Sequence, residues 1–168
     1  MSTATTATEN PGTPALTGSC LCSHIRYSVS TLPASISHCF CTQCRKAAGA
    51  PFQTYVTFPT ATITWLNGGR EPTYVNSSSF ARRGFCDKCG SSLVFQMKAE
   101  PGRMSLAGGS IDDESLEKQK GEWKRLGREA VFYWIKEKPA WFEVPSYGGK
   151  KFWTDPDVEE QPEGWRGE

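Results

Sequence analysis

The chain has 168 residues, 38% of them apolar, which is enough for one sizeable core and little more. Its 19 basic and 18 acidic residues leave a formal charge of +1, so no excess positive field draws it toward nucleic acid or an anionic membrane. No window approaches the ~18 consecutive apolar residues of a membrane span, and the opening MSTATTATENPGTPALTG lacks both an early cationic cluster and an apolar signal core. The expectation is a soluble, cytoplasmic protein with no nucleic-acid or membrane partner.

In chain order, residues 1–15 are rich in Thr, Ala and Pro without apolar periodicity and read as a disordered tail. Residues 16–145 read as one folded domain, and residues 146–168, with Gly148, Gly149, Pro156, Pro162 and Gly164, as an irregular C-terminal extension. Inside the domain, strand-like runs occur at 24–30, 52–58, 62–66, 92–97 and 103–109, broken by turn signals such as LPAS, LNGGREP and AEPG. The segment RKAAGA after Cys44 predicts a short helix stopped by Gly49 and Pro51. A second, DESLEKQKGEWKRL, has acids at its start and cations at its end, with Gly121 as an interruption. The aromatic run AVFYWIKEKPAWF closes the core, and Trp134 and Trp141 are expected inside it. A mostly β, antiparallel domain with few short helices follows.

Seven cysteines carry the chemistry. An odd count, packed as C-x-C and C-x-x-C, points to metal rather than to a disulfide framework. Cys20 and Cys22 with Cys86 and Cys89 supply the four thiolates of a closed tetrahedral zinc site, and Gly90 tolerates the positive φ that such a turn needs. Cys39, Cys41 and Cys44 remain as three ligands. They make either an open site with an exchangeable fourth position, as catalytic zinc requires, or a second closed site completed by His38, His24 or a carboxylate. His38, being adjacent to Cys39, is expected to support the site or simply to pack. Arg45, Lys46, Arg82 and Arg83 adjoin the cysteine motifs, either as a cationic rim that holds substrate carboxylates or as ordinary surface charge.

Taken together, GSCLCSHIRYSV, HCFCTQCRKAAGAPF, SSSFARRGFCDKCGSSL, AGGSIDD and KPAW resemble the glutathione-dependent formaldehyde-activating enzyme family, which includes the centromere protein V group. The resemblance spans about residues 16–142. It implies a single β-tent (Mss4-like) domain with two zinc ions per chain: a structural one on Cys20, Cys22, Cys86 and Cys89, and a catalytic one on Cys39, Cys41 and Cys44. The family's named activity is the condensation of glutathione with formaldehyde. Two positions depart from its pattern: Phe40 stands where many members have His between the first two catalytic-site cysteines, and an aromatic near Phe132 replaces another His.

The expected function is therefore that of a zinc-dependent carbon–sulfur lyase or synthase acting on a small thiol adduct such as a glutathione conjugate, with a homodimer left open. His38, Asp112 and water are the candidates for proton transfer. Two alternatives stand: a zinc enzyme of metabolite biosynthesis acting on a carbonyl, imine or thioether by elimination or cyclisation, and a non-catalytic zinc-binding interaction module. The absence of Lys and Arg from residues 1–15 counts against the last, because docking on chromatin or microtubules calls for a long basic arm.

Overall fold

The computed structural model describes residues 14–155. Most of the expected N-terminal tail and the end of the C-terminal extension lie outside these residues. The elements in chain order are β1 (Leu16–Ser19), β2 (Arg26–Val29), β3 (Ser35–Cys39), α1 (Thr42–Ala48), β4 (Gln53–Pro59), β5 (Ile63–Trp65), β6 (Thr73–Asn76), β7 (Ala81–Phe85), β8 (Ser92–Met97), β9 (Arg103–Ala107), α2 (Asp113–Lys118), α3 (Lys120–Glu129) and β10 (Val131–Tyr133). Two sheets result: a three-stranded one ordered β1-β2-β5, and a seven-stranded one ordered β10-β3-β4-β9-β8-β7-β6. All pairs are antiparallel except β10 with β3, which run parallel. The mostly β expectation holds.

The main core lies between the sheets. Alternation along β2 turns Tyr27 and Val29 inward, and Leu16 and Ile25 join them against Val56, Phe58, Val94, Met104 and Leu106 of the large sheet. Gly18 on β1 faces Tyr27, and a β-carbon there would collide with the tyrosine hydroxyl, which is bonded to Ser110 Oγ at 2.8 Å. A smaller aromatic core gathers Phe40, Phe132 and Ile135 with Phe52, Phe142, Val144 and Trp153 at the β10 edge. The chain after Pro145 runs back along that edge: Phe132 N–H donates to Lys150 O at 2.9 Å, Phe152 N–H to Phe132 O at 2.7 Å, and Gly149 N–H to Ala130 O at 2.9 Å.

Several local expectations need correction. Helix α1 starts at Thr42, ahead of Cys44, because the Cys41 sulfur accepts from Cys44 N–H and caps it; Gly49, left-handed at φ 63°, ends it as expected. The second helical segment divides at Gln119 (φ −117°), and Gly121 lies inside α3. Only 26–29 of the run at 24–30 is strand, since Ser23 at φ 57° holds the preceding residues in a turn. Trp141 is 74% exposed and belongs to no core. No helix among the described residues is long and apolar enough to cross a membrane.

Candidate metal centres and the cavity beside them

Two turns face each other to build the first cluster. Between β1 and β2, Cys20 N–H donates to Ile25 O at 3.0 Å, and Ile25 N–H returns to Cys20 Sγ at 3.3 Å. Between β7 and β8, Gly90 N–H donates to Cys86 O at 2.8 Å, and its φ of 75° lets that turn close. Leu21 N–H donates to Ser91 Oγ at 3.1 Å and links the two turns. Cys20 Sγ lies 3.6 Å from Cys22 Sγ, which lies 3.9 Å from Cys86 Sγ, and all four sulfurs of Cys20, Cys22, Cys86 and Cys89 fall within 4.8 Å of one another. Four thiolates about 2.3 Å from a tetrahedral metal would stand about 3.8 Å apart, so the donor set fits a zinc-sized ion. The Ser91 hydroxyl, 3.2 Å from Cys89 Sγ, is the leading cause that pushes that thiol down to about 5.

The second cluster sits where β3 ends and α1 begins. Cys39 closes the strand, Cys41 caps the helix, and Cys44 lies in its first turn, with all three sulfurs within 4.8 Å of one another. Among the described residues, no histidine or carboxylate joins them. His24 instead faces Asp87 at 3.8 Å and Arg70 at 3.3 Å. His38 lies on the opposite face of β3 from Cys39, bonded to Thr54 Oγ1 at 3.0 Å and packed against Phe52 and Phe132. Burial pushes its pKa down to about 4, so the ring is neutral at ordinary pH. Asp112 accepts from Thr17 at 2.7 Å and Arg26 at 3.2 Å and lines a different concavity, near Ser110 and Ile111.

Cys44 Sγ has two further neighbours. Arg83 Nη2 donates to it at 3.3 Å, and Tyr55 Oη stands 3.4 Å away, with Arg83 also donating to that hydroxyl. The Cys39 and Cys41 thiols, then Tyr55 and Arg83, push the Cys44 thiol down to about 2. Burial, with the nearby Cys44 charge, drives the Tyr55 phenol upward, so it keeps its proton.

These groups lie at one end of a cavity of about 810 Å3 on the outer face of the large sheet. Cross-strand register explains the lining: Ser37 stands opposite Tyr55, Ser35 opposite Thr57, Thr57 opposite Ser105, Ser105 opposite Phe95, and Phe95 opposite Arg83. Tyr133, beside Cys39 on β10, and Trp134 complete that wall. Trp134 is left-handed at φ 60°, an uncommon conformation for a bulky side chain.

Of the four cations singled out in the sequence, the structure brings only Arg83 to this cavity. Arg82 points to the other side of β7, donating to Gln96 Oε1 at 2.9 Å and lying over the Tyr74 ring. Arg45 folds back onto Phe40 O at 3.0 Å and Thr42 Oγ1 at 3.1 Å, and Lys46 is exposed outside the lining. Phe40 is wholly buried and stacks with Phe132, ring centroids 6.3 Å apart. The two departures from the family pattern are thus neighbours in one aromatic core and do not line the cavity. Sequence reasoning missed Tyr55 and Phe95. Strand alternation was the signal for both, since residues 53, 55 and 57 share one face of β4.

A mostly β domain with two cysteine clusters fit to hold metal ions, one of them opening on a cavity, is the class of protein that the fold and the site define. Residues 15–125 match the family described as glutathione-dependent formaldehyde-activating enzyme, and the chain belongs to it. A crystal structure of a Rhodobacter sphaeroides protein is 22% identical, aligns over 58% of this chain and 89% of its own, and superposes with a TM-score of 0.49. No curated protein matches the chain.

Proposed function

We propose that the protein is a zinc-dependent carbon–sulfur lyase or synthase that makes or cleaves a small thiol adduct of an aldehyde, in keeping with the formaldehyde-activating or related role of its family. The observation that carries this reading is the asymmetry of the two clusters: four cysteines close the first, whereas three cysteines line a cavity in the second. In this reading Cys20, Cys22, Cys86 and Cys89 hold a structural zinc, and Cys39, Cys41 and Cys44 hold the reactive one. A zinc held by these three cysteines would supply Lewis-acid chemistry that favours the thiolate form of the substrate sulfur, so that no separate base would be needed to ionise it.

The remaining work falls to the chain itself. Arg83 and Tyr55 share the charge of Cys44 through hydrogen bonds, holding that ligand in place and tempering its donation. Tyr55, kept protonated and lining the cavity, can offer its hydroxyl as a hydrogen bond to the carbonyl oxygen as the carbon–sulfur bond forms or breaks, while the proton lost by the thiol and the one gained by that oxygen exchange with solvent. His38 and Asp112 face other regions and have no part in this step.

Exchange spectroscopy of formaldehyde with a thiol, run with glutathione and separately with an uncharged thiol, tests the proposal on protein shown to carry two zincs. Acceleration of adduct formation with at least one thiol, lost in Cys44→Ser, is the expected result. No acceleration with either removes the lyase reading.

A further inference from the structure

The cavity beside Cys39, Cys41 and Cys44 is poorly suited to the two carboxylates of glutathione. Among the described residues, its charged lining consists of Arg83 and Arg103 against Glu100, Glu137 and Asp155, with no lysine. Both guanidiniums are already engaged. Arg83, only 8% exposed, serves Cys44 and Tyr55 and lies over the Phe95 ring at 4.9 Å, while Arg103 pairs with Glu100 at 3.2 Å. Three thiolates around a divalent ion add a further net negative charge. A carboxylate-bearing ligand entering here meets acids and occupied cations.

The uncharged lining joins aromatic and apolar side chains to neutral polar ones. Tyr55, Phe95, Tyr133 and Trp134 form the walls, and Phe80 and Met97 stand at the rim, 56% and 40% exposed. A phenylalanine so open to solvent at the mouth of a cavity is apolar surface for a ligand to cover. The volume of about 810 Å3 lies in the range that encloses a drug-sized molecule. Hydroxyls of Ser35, Ser37 and Thr57 give the floor neutral hydrogen-bonding groups.

We propose that this site takes an aromatic thiol, or the aldehyde adduct of one, that lacks carboxylates, its sulfur directed at the three cysteines and its ring held against Tyr55 and Phe95, with Phe80 at the rim beyond. The proposal rests on the thiol-adduct reading above and narrows its substrate. Calorimetric titration of the zinc-loaded full-length chain with benzyl mercaptan and with glutathione, zinc content being measured before and after, tests it. Benzyl mercaptan is expected to bind at least tenfold more tightly. Phe95→Ala should weaken it about tenfold and Phe80→Ala, an exposed change that leaves the core intact, about threefold, with Cys44→Ser abolishing it. Glutathione binding as tightly or more tightly overturns this inference and leaves the thiol-adduct reading standing, as does indifference of benzyl mercaptan binding to both phenylalanine changes. If neither thiol binds a protein that still holds two zincs, both readings fall together.

Discussion

Arg82 and Arg83 are consecutive in sequence and opposite in role, because successive side chains on a strand leave by opposite faces. Arg83 reaches Cys44 and Tyr55, whereas Arg82 stays with Gln96 and Tyr74. Arg83→Gln is expected to lower turnover at least tenfold and to speed loss of metal from the three-cysteine site, read by a chromogenic chelator. Arg82→Gln should leave both unchanged and alter only thermal stability. Equal effects of the two on zinc loss would remove the link between Arg83 and Cys44. His38 gives a second residue-scale expectation. Its folded pKa of about 4 lies below the unfolded value of 6.5, so the unfolded state binds the extra proton between them. Stability tied to this ring is present above pH 6.5 and disappears as pH falls toward 4, up to about 3 kcal/mol. In urea titrations across that range, His38→Asn should show a flatter pH dependence than the parent, a difference that separates this effect from acid release of metal.

Among the elements, α1 shows how little sequence is needed to place a ligand set. The Cys41 sulfur starts the helix and Gly49 stops it in the left-handed region with nothing within 4 Å of where a β-carbon would sit. Gly49→Ala should therefore cost about 1 kcal/mol through backbone strain alone, whereas Gly109→Ala, in equally open space without a positive φ, should stay within about 0.5 kcal/mol. Chemical denaturation of the two variants checks this. The turn glycines and the cysteine spacing are legible in the amino-acid sequence, as are β4, β5, β8 and β9, whose apolar residues alternate or cluster. Strands β1, β3, β6 and β7 carry no such signal, and β10 is legible only as part of the aromatic run 130–142; the reasons are physical. Along β3 every residue is half-buried, its Ser35, Ser37 and Cys39 being turned to the cavity, so no apolar alternation marks it. Along β7 two adjacent arginines stand between the buried Ala81 and Gly84, which lie on opposite faces, so no apolar alternation shows. The site thus obscures the strands that build it, and of the cationic rim read from neighbouring letters only Arg83 reaches the cavity, β7 turning Arg82 to its other face and α1 keeping Arg45 and Lys46 out of the lining.

At the scale of the whole molecule the two cysteine clusters hold different things. Cys20 and Cys22 belong to the turn of the small sheet, Cys86 and Cys89 to a turn of the large one, and the apolar core lies between those sheets. A metal on these four therefore ties the two layers together, and its binding energy becomes folding energy. Cys39, Cys41 and Cys44 all lie within one stretch of six residues around the β3–α1 junction, where β4 and β10 already hold the strand. Losing a metal there leaves both sheets joined. Cys86→Ser is accordingly expected to give a protein without a cooperative thermal transition by circular dichroism. Cys44→Ser should keep the transition, bind one zinc fewer by atomic absorption and show no turnover. Stepwise treatment with a strong chelator should follow the same order, the first zinc leaving with activity and the second with the fold. Simultaneous loss of both metals, activity and structure would mean that the clusters form one cooperative unit, and that the division of labour between a closed and an open site is absent from this chain.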